Sequence, residues 1–142
     1  MTARAEISNP KSETNSKCQI SMSETSGPNR FDLEERTYEF ARCVRAFVKT
    51  LPRTVCNQED VKQLVRSSGS VGANYIEAND ALSKKDFLMR VRISRREAKE
   101  SRYWLRLLFT GDKQSLDEAR NQLIQESTEL MRILGAIIRN SE

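Results

Sequence analysis

Between residues 87 and 108 one row of apolar or small side chains repeats at steps of four, three, four, three, four and three. Its members are Phe87, Val91, Ser94, Ala98, Ser101, Leu105 and Leu108. An α-helix places such a row on one side, and a heptad sustained over three repeats calls for partner helices to cover it. At 1.5 Å per residue the helix spans roughly 40 Å. The middle of the row is small (Ser94, Ala98, Ser101), which suits close approach by a neighbour. Leu88, Trp104 and Leu107 lie beside the row, and Ser83 with Asp86 three residues on provides an N-terminal cap.

Three further helices follow from the same arithmetic. One begins near Asp32, an N-cap with Glu35 three residues on. It carries Leu33, Phe40, Ala41, Val44, Phe47, Val48 and Leu51 on one face, with Thr37 filling the gap, and Pro52 ends it. The next is expected to start at Asn57, paired with Asp60, and to turn Val61, Leu64, Val65, Val71, Tyr75 and Ile76 inward. Gly69 and Gly72 sit in its interior, each costing about 1 kcal/mol relative to Ala. Either the helix breaks near Gly69, or it is continuous and offers small residues to a neighbour. The apolar period keeps phase through Val71 and Ile76, which favours continuity. Residues 79–82 form a hinge, and Gly111 and Asp112 end the long basic helix.

Ser115 and Glu118 are the expected capping box of the last helix. That helix shows a row at Leu116, Leu123, Leu130 and Ile137, with Ser127 and Leu134 between. A second row at Ile124, Met131 and Ile138 makes a face wider than a four-helix monomer requires. It is either a broad core stripe or a subunit interface. Four helices and three short loops define an all-α, antiparallel up-down-up-down four-helix bundle over residues 31–142. Residues 1–30, rich in Ser, Thr, Asn, Lys and Glu, are expected to be a disordered N-terminal tail or a start foreign to the protein.

Composition narrows the chemistry. A chain of 142 residues suits one domain, and slender helices in so short a chain bury little area each, so self-association is expected. There is no His, which removes the commonest neutral-pH proton shuttle and metal ligand. Cys18, Cys43 and Cys56 are odd in number and lack CxxC spacing, which fits a reducing compartment and gives no metal site. Cys43 falls on a helix as a small apolar filler. No run approaches the ~20 apolar residues of a membrane span, and the N-terminus lacks a secretory core. A cytoplasmic protein with no membrane contact is expected. The run Ser68, Gly69, Ser70, Val71, Gly72 lacks the GK[ST] ending of a phosphate loop. No catalytic residue, cofactor or small-molecule substrate is expected.

The net charge of +4 is unevenly placed: residues 83–110 carry nine basic and three acidic groups, whereas no other segment exceeds +1. Arg92, Arg95, Lys99, Arg102 and Arg106 each follow a row residue by one. They form a stripe turned about 100° from the core row, and Arg90 and Arg96 widen it. Arg92, Arg95, Arg96, Lys99, Arg102 and Arg106 are the candidate nucleic-acid-binding set. Phosphate backbones bind such arrays by counterion release, and Arg adds bidentate geometry. The stripe is alternatively solvated, paired with acids of neighbouring helices, or turned to another acidic partner. Ser70, Asn74 and Glu77 form a polar row read as structural, with Glu77 expected to meet an arginine of the basic helix. A ligand-reading role is the other possibility.

Residues 66–78 (RSSGSVGANYIEA), 83–87 (SKKDF) and 97–105 (EAKESRYWL) together resemble the bacterial four helix bundle protein family. These proteins are also called intervening-sequence proteins of large-subunit ribosomal RNA. The likeness covers roughly residues 31–140. It implies an antiparallel bundle commonly assembled as a homopentamer. A related branch contains retroelement accessory proteins that work with a reverse transcriptase and RNA. The function so implied is a non-catalytic scaffold binding RNA or a ribonucleoprotein. The alternative is a structural or protein-interaction module with no nucleic-acid binding.

Overall fold

The computed structural model describes residues 30–142; the expected tail and Cys18 lie outside the described residues. Four helices follow one another: α1 Arg30–Val48, α2 Val55–Asn79, α3 Lys84–Leu107 and α4 Gln114–Ser141. No strand occurs among the described residues. Each helix packs on the next and α1 closes against α4, giving the up-down-up-down bundle. The α2–α3 seam is the most extensive and the α1–α4 seam the least.

The apolar rows face inward. Val91, Ser94, Ala98, Ser101, Leu105 and Leu108 of the heptad are all buried, as are Leu33, Thr37, Phe40, Val44, Phe47 and Leu51 in and just beyond α1. In α2 the four-three step runs Val71, Tyr75, Ala78. Ile76 falls outside it and is 45% exposed, contrary to expectation.

α2 is continuous through both glycines, and its small residues serve two neighbours. On one side the hydroxyls of Ser67 and Ser101 lie 2.9 Å apart, and Ser94 Oγ donates to the Val71 carbonyl at 2.7 Å. On the other, a Cβ at Gly72 would lie 2.8 Å from Thr37 Oγ1, so α1 approaches closely there.

Helix ends depart from the sequence reading in four places. The first helix already includes Arg30, so Asp32 lies within its first turn rather than capping it. α2 is capped by Thr54, whose hydroxyl accepts from Asn57 N at 3.0 Å. Asn57 has another task. Its buried amide donates to the Pro52 and Phe109 carbonyls at 2.9 and 2.8 Å and accepts from Phe109 N at 2.9 Å, tying two loops together. α3 stops at Leu107, short of Gly111. α4 starts at Gln114 behind Lys113, whose side chain makes no cap bond; neither Ser115 nor Glu118 caps it, and Asp117 of its first turn accepts from Thr110 Oγ1 at 2.6 Å. The Ser83 cap forms as expected, accepting from Asp86 N at 3.1 Å.

Among the described residues one ion pair crosses the thin α1–α4 seam. Arg36 donates to both carboxylate oxygens of Glu126, at 2.7 and 2.9 Å, and the Glu126 side chain is fully buried. Burial pushes the Glu126 carboxyl above its ordinary range, further than Arg36 draws it down, and Glu129 adds to the rise. The hydrogen bond to Glu126 holds Arg36 above its own ordinary value.

Candidate nucleic-acid interface

The Ser83 cap fixes where α3 begins, and the heptad row fixes which side faces the core. The residues one step beyond the row then have no choice but to flank it. Arg92, Lys99 and Arg106, spaced by seven, are all exposed, and Arg96 is exposed beside them. Met89 and Tyr103, seven residues either side of Arg96, are 47% and 54% exposed. The Tyr103 ring meets Trp104 edge-on at 5.0 Å. Arg95 is exposed on the α4 side. Arg102 is half-buried and donates to Thr128 Oγ1 at 3.3 Å, which places it in the groove between α3 and α4.

Two of the three acids of α3 point elsewhere. Glu97 and Glu100 meet Arg66 of α2 at 3.5 and 2.7 Å. Trp104 Nε1 also donates to Glu100 at 2.9 Å. That bond, followed by Arg66, holds the Glu100 carboxyl below its ordinary range. Glu142 pairs with Arg92, so one member of the column has a carboxylate partner.

In the polar row, Asn74 Nδ2 donates to the Ser70 carbonyl at 2.9 Å, and Arg90 donates to Asn74 Oδ1 at 3.2 Å. The arginine that α3 sends here therefore reaches Asn74, while Glu77 stands exposed. Along α4, Ile124 and Met131 are half-buried and packed on the core. Ile138 is 6% exposed and lies within the core of its own chain. Tyr38, Val55, Leu82 and Phe109 leave apolar surface in the open.

An open groove of about 370 Å³ at the α1–α2 turn is lined by Leu51, Pro52 and Val61 with Lys49, Arg53 and Lys62 at its edge. Asn57, its buried polar member, has its amide bonded to backbone. One residue escaped the sequence reading altogether: Arg139 of α4 comes close to Arg95 of α3 over Gly135. A glycine inside a helix was the one signal, and nothing in the sequence ties it to α3.

An all-helical antiparallel four-helix bundle is the class of protein that the fold defines. Among the described residues no helix is long and apolar enough to cross a membrane. The chain belongs to the 23S rRNA-intervening sequence protein family, whose family model matches residues 30–136. It is similar to the crystal structure of a protein with unknown function from the S23 ribosomal protein family of Bacteroides thetaiotaomicron. The two are 32% identical, with a TM-score of 0.64, over 75% of this chain and 98% of that one. No curated protein matches the chain.

Proposed function

We propose that this protein is a non-catalytic, self-associating scaffold that binds RNA or a ribonucleoprotein, such as a reverse transcriptase with its RNA, along α3. One observation carries the reading: Glu97 and Glu100 of α3 are engaged by Arg66 of α2, leaving Arg96, Lys99 and Arg106 exposed and without a described carboxylate partner. A solvated face is ordinarily of mixed sign; this one is segregated. Tyr103, exposed among the cations, adds a ring on which an unpaired base can stack.

The test is the salt dependence of binding to structured RNA. Affinity should fall steeply with salt. Changing Arg96, Lys99 and Arg106 together to Gln should reduce the logarithmic slope by roughly 0.7–0.9 for each phosphate that is no longer neutralised. A slope untouched by the triple change would remove the face from consideration.

Self-association is supported by the half-buried Ile124 and Met131 and by the apolar side chains left open at Tyr38 and Phe109. Light scattering at micromolar concentration should return the mass of an oligomer, a pentamer on the family resemblance. A monomer mass would dismiss this part.

A further inference from the structure

The basic surface does not stop at α3. Arg95 of α3 and Arg139 of α4 are both exposed, and both lean over Gly135. A Cβ at Gly135 would lie 3.5 Å from Arg139 Nη1 and 3.7 Å from Arg95 Nη1. The two guanidiniums therefore stand no more than about 7 Å apart, near enough for like charges to oppose one another. Among the described residues neither has a carboxylate partner, as Arg96 and Arg106 have none, whereas Arg66, Arg92 and Arg132 are paired. Two cations converging on one point, with no carboxylate of the described residues paired to either, make a site of high positive potential.

Gly135 is what keeps that point empty. Glycine in a helix interior is unfavourable, and here its missing side chain leaves room between the two forks. An oxyanion accepting charge-assisted hydrogen bonds of about 2.8 Å from each side bridges a gap of this order. A phosphate is such an anion, and Arg is suited to it.

We infer that Arg95, Arg139 and the gap at Gly135 form a phosphate cradle that takes one backbone phosphate of the nucleic acid laid along α3. The inference rests on the proposed RNA function and extends it onto α4. It also gives Glu142 a role. Glu142 occupies Arg92, one turn from Arg95 on α3, and lies one turn beyond Arg139 on α4. Its carboxylate therefore opposes an incoming phosphate and holds a third cation back.

The test uses the full chain and two probes. Inorganic pyrophosphate is titrated at low salt while the amide of Gly135 and the Nε–H groups of Arg95 and Arg139 are followed by NMR. The structured RNA is titrated in parallel across a salt series. In the unaltered protein pyrophosphate should give saturable shifts centred on Gly135. R95Q and R139Q should each abolish them and lower the RNA salt slope by roughly 0.7–0.9. G135A puts a methyl group at that point, in ordinary contact with both guanidiniums, and should weaken binding. G135L fills the gap and should lose it, with helix content retained because Leu is the better helix former. E142Q should tighten RNA binding several-fold.

Pyrophosphate shifts that survive R139Q, or that spread over all surface arginines, would overturn the cradle. So would an RNA slope that R139Q leaves unchanged while the Arg96, Lys99 and Arg106 triple variant lowers it; that result keeps the α3 face and removes the α4 extension. Pyrophosphate capture at Gly135 without any RNA binding would overturn the nucleic-acid assignment, and with it the proposed function.

Discussion

Replacing Arg36 with Met is expected to destabilise the bundle by about 3–5 kcal/mol near pH 8, because it strands the carboxylate of Glu126 inside the protein. Glu126 is fully buried, and Arg36 holds both of its oxygens. The pair sits on the seam where α1 and α4 touch least, so little else there compensates. The loss should be pH-dependent. Burial already raises the Glu126 carboxyl in the folded protein, and removing Arg36 takes away the influences that lower it. A raised folded-state pKa means the folded chain binds the proton more tightly than the unfolded chain. Stability then falls as pH rises from the ordinary carboxyl range up through the folded value, and it is greatest below that range. Urea midpoints of R36M should therefore climb on acidification from pH 8 toward pH 5, more steeply than those of the unaltered protein.

Two companions separate charge from packing. E126Q leaves Arg36, whose side chain is 23% exposed, able to reach water, so it should cost about 1 kcal/mol and flatten the pH dependence. The double variant R36M/E126L replaces the pair with apolar groups of similar volume and should recover most or all of the lost stability. A pH-independent midpoint for R36M, or a double variant as weak as R36M alone, would show that the pair does not govern this seam.

What could be read from the chain and what could not divide along a physical line. Periodicity acts along one helix, so the heptad of α3, the continuity of α2 through Gly69 and Gly72, and the Ser83 cap follow from local spacing. Contacts between helices do not. Glu126 falls three residues after Leu123 and four before Leu130, in line with an apolar row. Arg36 has the same relation to Leu33 and Phe40. Each is a charge set into a core stripe, but their partnership joins residues 90 apart. Asn57 reads as an N-cap because Asn is a good one. Thr54 serves equally and lies at the true helix start, which frees Asn57 to clamp Phe109. On the candidate surface, spacing alone locates the arginine stripe. It cannot say that Arg102 turns to Thr128 and Arg90 to Asn74, or that Arg139 arrives from another helix to stand beside Arg95. Those outcomes depend on how α3 is rotated against α2 and α4, which depends in turn on the small residues where the helices meet.

The closeness of the α1–α2 approach gives the second large effect, at Gly72. Its missing Cβ would meet Thr37 Oγ1 at 2.8 Å and Thr37 Cβ at 3.1 Å. Thr37 cannot yield, being fully buried, branched at Cβ, and bound through its hydroxyl to the Glu34 carbonyl at 2.9 Å. G72V should therefore force α1 away from α2 and cost about 3 kcal/mol or more. G72A should still destabilise, by roughly 1–2 kcal/mol, despite the helix-propensity gain of about 1 kcal/mol that Ala brings. Gly69 is the internal control. A Cβ there meets Arg45 Nη2 at 3.3 Å, the far end of an exposed, flexible side chain that can swing aside. G69A should be neutral or stabilising by up to about 1 kcal/mol. Within the G72A background, T37A removes the nearest atom and leaves the contacts with residue 37 Cβ and carbonyl carbon at 3.1 and 3.7 Å. It should restore part of the loss, so that the two changes together cost less than the sum of each alone. Denaturant midpoints of the five variants decide the matter. If G72A and G69A shift stability in the same favourable direction, α1 does not approach α2 at Gly72 as closely as described, and the stripe of small residues has no part in setting the α1–α2 distance.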